Sequence, residues 1–485
     1  MSFFAMSYLA FVLPAAAIVL FVWLGLRAGR GIDSADDSFL TGGRGFGPAV
    51  LAFSIFATSN TGFMFVGAIG AGFKIGVAAL WVPVAWFAGE VVFWLRFPER
   101  IHAVAQKRNP VSIPDYISRA VPEGSRRPVQ VAAGLVIVFA TLPYLLGQNI
   151  AAGKAFSVVS GFDLQTSVLV AGSLVTCVAL LYCARGGLKS SMLANTVQGI
   201  FILVVSSILL LLVVYTLLAS PDAVDTILAN NPRAFDPFSV HVPLIAFVFF
   251  LGAATASFGS AMSLPTLLMR VTVAGSKKDL DRARWWYLGI CYGFWGLMSA
   301  MGLALSGIVS SIDDPEQALF LFAERQSPFM LGLTLAGVTA LILSTIDGST
   351  MVGGSALSDD IGRAGERRTA TRRVLRVGGL VIFAASSLIC AIFLADASVY
   401  DVVLFGVSAL AGGIGPAFMI STLGWPTHAH ALVTAIVLGA LTAVIWAALG
   451  LADIVAEALP AFAVGLASHW AVMRLKSPSK DPVRS

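Results

Sequence analysis

A chain of 485 residues with 58% hydrophobic and only 12% charged side chains cannot cover a water-facing surface, because soluble domains carry roughly a quarter charged residues. The net charge of +5 is no mark of nucleic-acid binding, since the basic residues gather in loops between apolar runs, as membrane orientation demands. What remains is an integral membrane protein. A run such as Val197–Leu218, with no charged residue, spans a hydrocarbon core of about 30 Å as one helix. Closely spaced runs of that kind specify a bundle of helices rather than a β-barrel, whose strands would alternate.

The apolar runs predict about 13 transmembrane helices, at approximately 7–28, 47–72, 76–97, 128–152, 164–184, 190–218, 240–269, 285–309, 328–357, 377–395, 399–423, 428–450 and 453–474. These are called spans 1 to 13. Span 1 lacks a basic lead and is followed directly by Arg27 and Arg30, which suits a retained helix rather than a cleaved signal. Basic residues then fill alternate loops. Arg100, Lys107, Arg108, Arg119, Arg126 and Arg127 follow span 3; Arg270, Lys277, Lys278, Arg282 and Arg284 follow span 7; Arg363, Arg367, Arg368, Arg372, Arg373 and Arg376 follow span 9. The opposite loops hold few cations (Lys74, Lys154, Arg233, Arg325) and several acids, including Asp222, Asp225, Asp313, Asp314 and Glu316. This asymmetry predicts an N-terminus outside and a C-terminus in the cytoplasm.

Polar groups inside a span are costly and need a reason. Span 2 carries Ala57-Thr58-Ser59-Asn60-Thr61-Gly62 at its middle, weak helix formers whose side chains compete with the backbone. An unwound segment is expected there, with carbonyl oxygens free for a cation. In span 3, Glu90 lies within reach of Arg96 and reads at least as well as structural. Span 7 carries Gly252-Ala253-Ala254-Thr255-Ala256-Ser257-Phe258-Gly259-Ser260, then Pro265, and a second interruption is expected in that cluster. The competing reading is close helix packing through small residues. Spans 2 and 7 cross in opposite directions, and paired interrupted helices in two inverted halves point to a transporter site. In span 9, Ser344-Thr345-Ile346-Asp347-Gly348-Ser349-Thr350 places a carboxylate mid-helix, which needs a cation, a proton pathway or a donor partner.

The cysteines, Cys177, Cys183, Cys291 and Cys390, fall inside spans with no metal or disulfide spacing, and the histidines, His102, His241, His428, His430 and His469, sit in loops or near span ends. No nucleophile–base set or phosphate loop is present, so the chain is not read as an enzyme.

At these residues the sequence resembles the sodium/solute symporter family, the group containing proline permease and the sodium/glucose transporters. The likeness runs from about Asp37 to Pro416. It is carried by Phe39-Leu40-Thr41-Gly42-Gly43-Arg44-Gly45-Phe46-Gly47-Pro48, by Ala184-Arg185-Gly186-Gly187-Leu188 with Asn195-Thr196-Val197-Gln198, and by Pro265 and Arg270 followed by Lys277, Lys278, Asp279, Arg282, Ala283 and Arg284. The resemblance implies a leucine-transporter-type fold of two inverted five-helix repeats, broken at spans 2 and 7. The corresponding division is 1–46 (accessory helix and loop), 47–218 (first repeat), 219–239 (external loop), 240–423 (second repeat) and 424–485 (two accessory helices and a tail).

The resemblance also implies sodium as coupling ion, no cofactor, and a small organic solute as partner. Ala57, Asn60 and Leu341 would lend carbonyls to the ion, and Ser344 and Thr345 hydroxyls. Phe63, Tyr144, Ser257 and Ala261 would line the solute. The chain departs from the family at Leu193-Ala194-Asn195, where many members carry an acid, and at Asp347, where a small or hydroxyl residue is common. A second cation or proton site of Asp347, Asn195 and Ser59 is therefore expected, its acid moved from span 6 to span 9. The expected function is sodium-coupled symport into the cell across a plasma membrane, of the bacterial inner type. The alternatives are proton coupling through Asp347 or a solute sensor that does not transport.

Overall fold

The computed structural model describes residues 3–240, 242–309, 312–453 and 455–475; His241 and the tail 476–485 lie outside them. The described chain is helical, and its exterior is apolar in a way that a soluble protein's is not. Ser54, Gln148, Asn149, Asn195, Gln198, Ser344 and Asp347 are fully buried, while Val19, Leu211, Ile382 and Phe393 stand well exposed on the outside. An apolar exterior, with the polar groups of the spans kept inside the packed core, is what a hydrocarbon solvent selects.

Eleven described helical stretches are long and apolar enough to cross a membrane, not thirteen. The difference lies in two stretches that run on through a turn. Leu164–Leu218 has 55 residues, about 80 Å of helix at 1.5 Å per residue and far more than one crossing needs. Gly187 (φ 54°, ψ −145°) bends it sharply, and a side chain there would strike the Phe39 carbonyl. Gly62–Arg96 likewise turns at Gly76 (φ 63°, ψ −138°).

The loops sort onto two faces as the charges predict. On the basic face Arg373 pairs with Asp33 (2.6 Å), Arg376 with Asp37 (3.1 Å) and Asp359 (2.9 Å), and Lys277 with Glu99 (2.7 Å). On the other face Lys154 pairs with Asp314 (2.9 Å) and Glu316 (2.6 Å).

Spans 2 and 7 meet at both faces and run in opposite directions. Before span 2, Gly45 N–H donates to Val273 O (2.9 Å), and Gly275 N–H returns a bond to Phe46 O (2.9 Å), beyond the end of span 7. At the far face Val77 N–H donates to Ala234 O (2.8 Å) and Asn231 to Lys74 O (3.2 Å), where span 2 ends and span 7 has yet to begin. This is the inverted arrangement expected from the odd spacing of the two interrupted spans.

Span 7 is interrupted, but not in its cluster of small residues. Pro243–Ala261 is an unbroken helix, and a new one starts at Pro265 (Pro265–Thr272). The break falls at Met262–Leu264 because proline lacks an N–H and drives the preceding residue out of the α region; Leu264 has ψ 105°. The small residues serve packing instead. A side chain at Gly89 would lie 2.1 Å from Ala254 O, and one at Gly259 would lie 2.7 Å from Ala411. Spans 3 and 11 thus approach span 7 closely.

Replacing Gly187 with Ala should destabilise the detergent-purified protein by about 1 kcal/mol or more, read as a lower thermal unfolding midpoint. Gly289→Ala, in a helix with open space around it, should leave it unchanged or raise it. Equal midpoints for both variants would show that the bend at Gly187 carries no constraint.

Candidate functional site

Span 2 is helical over Pro48–Ser59 and Gly67–Ile75. Between them Asn60 and Thr61 are extended (φ/ψ −96°/94° and −84°/−179°), and Gly62–Met64 forms one tight turn. The break lies inside the predicted polar segment, at its C-terminal end. A broken helix strands backbone groups that need partners in hydrocarbon. Neighbouring elements supply them. Ser344 Oγ donates to Ala57 O (2.8 Å), and the Tyr144 hydroxyl donates to Thr58 O (3.3 Å). Gln148 Oε1 accepts from Gly62 N–H (2.8 Å), and Thr61 Oγ1 from Phe63 N–H (3.1 Å).

Ser344 Oγ also reaches Leu341 O (2.7 Å), as does Thr345 Oγ1 (3.1 Å). The oxygens of Ala57, Leu341, Ser344 and Thr345 therefore converge where span 9 crosses the break. One hydroxyl proton cannot serve two carbonyls fully, so the cluster is rich in lone pairs and poor in protons. Unwound carbonyls of this kind suit a monovalent cation. The Asn60 side chain points elsewhere: its amide donates to Phe56 O (2.9 Å) and Cys291 Sγ (3.2 Å), and it borders a cavity.

Asp347 is fully buried. Tyr182 donates to Oδ2 (2.9 Å), and Ser191 (3.0 Å) and Asn195 (3.2 Å) donate to Oδ1. Asn195 is where expected; Ser59 is not, since it lines the central cavity with Phe63 and Tyr144. Sequence reading missed three groups here. Tyr182 and Ser191 come from spans 5 and 6. Arg270, 1% exposed, donates to Ser54 Oγ (2.7 Å) and Thr266 O (2.6 Å). Its Nη2 has no partner and lies 3.9 Å from where a Gly348 side chain would begin. The Arg270 charge adds to the neutral donors around Asp347.

Beside the break lies a small central cavity of about 50 Å³. Phe63 and Tyr144 line it as expected, but Ser257 and Ala261 do not. Ser257 donates to the Trp86 carbonyl, Ala261 is buried, and Ser260 and Leu264 face the cavity in their place. Span 7 stays helical through Ala261, so the residues next to its break point inward. Glu90 adds to the sequence reading, which leaves its role open. It lines this cavity and, among the described residues, has no ion pair with Arg96; Trp94 Nε1 donates to it (3.2 Å), as does the Tyr287 hydroxyl (3.1 Å).

Phe63, which packs on Trp295 (5.9 Å between centroids) and Tyr400 (5.2 Å), divides the central cavity from a larger one of about 450 Å³. Lys74, Lys154, Asp314, Glu316, Asp396 and Asp401 line this vestibule, so it lies toward the acidic face. No group of histidines, cysteines or acids able to hold a metal ion occurs among the described residues.

The model of the sodium:solute symporter family matches residues 39–426. The chain is 26% identical to the osmoregulated proline transporter of Bacillus subtilis, covering 96% of this chain and 94% of that one. It is 24% identical to the sodium/proline symporter of Escherichia coli, covering 92% and 88% respectively. The solved outward-open, substrate-bound Na+-coupled sialic acid symporter shares the fold, with a TM-score of 0.75 over 96% of this chain and 98% of that one at 15% identity.

With Cys177, Cys183, Cys291 and Cys390 removed, a cysteine at position 260 should react with a small thiol reagent about tenfold faster or more than one at 257, because access governs thiol reactivity. Comparable labelling of the two would contradict the facing assigned to span 7.

Proposed function

Since this chain belongs to the sodium:solute symporter family, we propose a specific seat for its coupling ion. The protein is a multi-pass membrane transporter that couples movement of a small solute to sodium. The ion binds between spans 2 and 9, on the carbonyls of Ala57, Asn60 and Leu341 and the hydroxyls of Ser344 and Thr345. The observation that carries this reading is the 2.8 Å contact from Ser344 Oγ to Ala57 O across the break in span 2. Without the ion, hydroxyl protons hold those carbonyls; with it, the hydroxyls turn their lone pairs inward and the cation binds the two helices together.

The acidic face is the outer one, which makes thirteen crossings, an external N-terminus and a cytoplasmic C-terminus. Solute enters the vestibule, passes Phe63, Trp295 and Tyr400, and rests against Phe63, Tyr144, Ser260 and Leu264. Sodium then holds span 9 against span 2 until the inner face opens. One charge falling through 100 mV releases about 2.3 kcal/mol, enough to drive accumulation before any concentration term. The protein moves its solute without altering it.

Asp347 forms, with Asn195, a second site that takes up a cation or a proton. Three donors already answer its oxygens, which leaves about one of the four lone-pair sites of an ionised carboxylate for that cation or proton.

Ser344→Ala should raise the sodium concentration for half-maximal proteoliposome uptake about tenfold to a hundredfold, the worth of one polar contact to a charge. An unchanged sodium requirement would remove Ser344 from the site. Asp347→Asn should insert normally yet lose coupled uptake; full uptake in that variant would leave Asp347 a purely structural group.

A further inference from the structure

Glu90 and Asp347 are both acids buried within the spans, but their electrostatic surroundings differ. Asp347 has the Arg270 charge nearby in addition to its three neutral donors. Glu90 is 5% exposed and lines the central cavity, where no lysine, arginine or histidine appears among the described residues. Arg96, on the same helix, is exposed. The titratable groups facing Glu90 are Tyr287, Cys291 and Tyr292, all from span 8. Span 2 brings Asn60, span 7 brings Ser260, and its own helix brings Trp94. None of these carries a positive charge. The hydroxyls and indoles around the cavity can bond a carboxylate or a carboxylic acid, so they do not decide between the two forms. Charge decides, because a carboxylate taken from water with no cation beside it is costly, and a bound proton removes that cost.

Glu90 is also joined to the proposed ion seat by a short chain of polar groups. The Tyr287 hydroxyl donates to Glu90 (3.1 Å) and meets the Cys291 thiol. Cys291 Sγ in turn accepts from the Asn60 amide (3.2 Å). Asn60 therefore has its side chain on the Glu90 cavity and its main chain at the break in span 2. An ionised Glu90 attracts a cation at the break through a low-dielectric interior, and a protonated one does not. Linkage then requires sodium to weaken proton binding by the same factor.

We infer that Glu90 is a proton-binding site of the transport cycle, linked antagonistically to sodium through Tyr287, Cys291 and Asn60. The inference rests on the symporter reading above for the position of the ion. Sodium arriving at the break expels the proton from the Glu90 carboxyl into the central cavity, and a proton returning to that carboxylate loosens the ion. One positive charge replaces another, so the buried region keeps its net charge through the exchange.

The test is infrared spectroscopy of the purified full-length protein in lipid, titrated in choline and in sodium without solute. The carbonyl band of a protonated carboxyl should be present in wild type and shrink when sodium replaces choline at constant pH. This sodium-sensitive band should be absent from Glu90→Gln. Asp347→Asn and Asp360→Asn remove the two acids buried more deeply than Glu90 among the described residues. Both should keep the band, which assigns it even if Glu90→Gln fails to fold. In wild type the sodium concentration for half-maximal thermal stabilisation should fall about tenfold from the acid to the alkaline end of the titration, and Glu90→Gln should cut that fall to about twofold or less. A band indifferent to sodium, a sodium-sensitive band that survives in Glu90→Gln, or equal pH dependence in the two proteins would each overturn the inference. Ser344→Ala tests the ion seat separately: if sodium shrinks the band there at the same concentrations as in wild type, the seat is wrong while the proton site stands.

Discussion

A backbone that breaks inside hydrocarbon must have every freed N–H and C=O answered by the protein, and the rest of this structure is arranged around that requirement at Asn60–Thr61. Ser344, Tyr144 and Gln148 each reach in from another helix to answer one such group, and Thr61 answers another from within. These bonds fix spans 4 and 9 against span 2. The same geometry leaves carbonyl oxygens gathered on one side of the break and an aromatic cavity on the other. In the proposed scheme, ion and solute couple through a few ångströms of unwound chain rather than through a distant relay.

The two faces are held very differently. On the basic face Arg376, 1% exposed, grips Asp359 through both of its carboxylate oxygens and also reaches Asp37. Arg44 bonds Asn109 and the carbonyls of Pro110 and Thr272, tying the loops after spans 3 and 7 to the entry of span 2. The acidic face has Lys154 between Asp314 and Glu316, above an open vestibule. Exposed ion pairs are each worth little, but removing one partner of a buried pair is expensive. In the proposed scheme the basic face, tied by these bonds, is the one that must be unlocked for release.

Much of this was legible in the chain because its signals are local. Length of apolar runs, alternation of Lys and Arg, and the run Ala57–Gly62 act on the segment that carries them, and the spans, faces and first break follow. The convergence of Ala57 with Leu341, Ser344 and Thr345 came from family resemblance, since nothing in the spacing joins span 2 to span 9. Tyr182, Ser191 and Arg270 around Asp347 were invisible, because a buried acid announces a need for partners without naming them. One reading failed for an identifiable reason. The small residues of span 7 suggested unwinding where they provide close approach, although Pro265 was the better marker of the break. Glu90 is a residue whose role the chain leaves open, because its partners, Trp94 on the next turn and Tyr287 across the interface, depend on packing beside the cavity.

The central claim is best tested by a high-resolution structure of the purified protein in sodium, compared with one in which choline replaces it. The account predicts an extended backbone at Asn60–Thr61 and a density peak among Ala57 O, Asn60 O, Leu341 O, Ser344 Oγ and Thr345 Oγ1 that is lost in choline. A helix continuous through residue 61, or an ion bound elsewhere with these oxygens bonded only to one another, would contradict it.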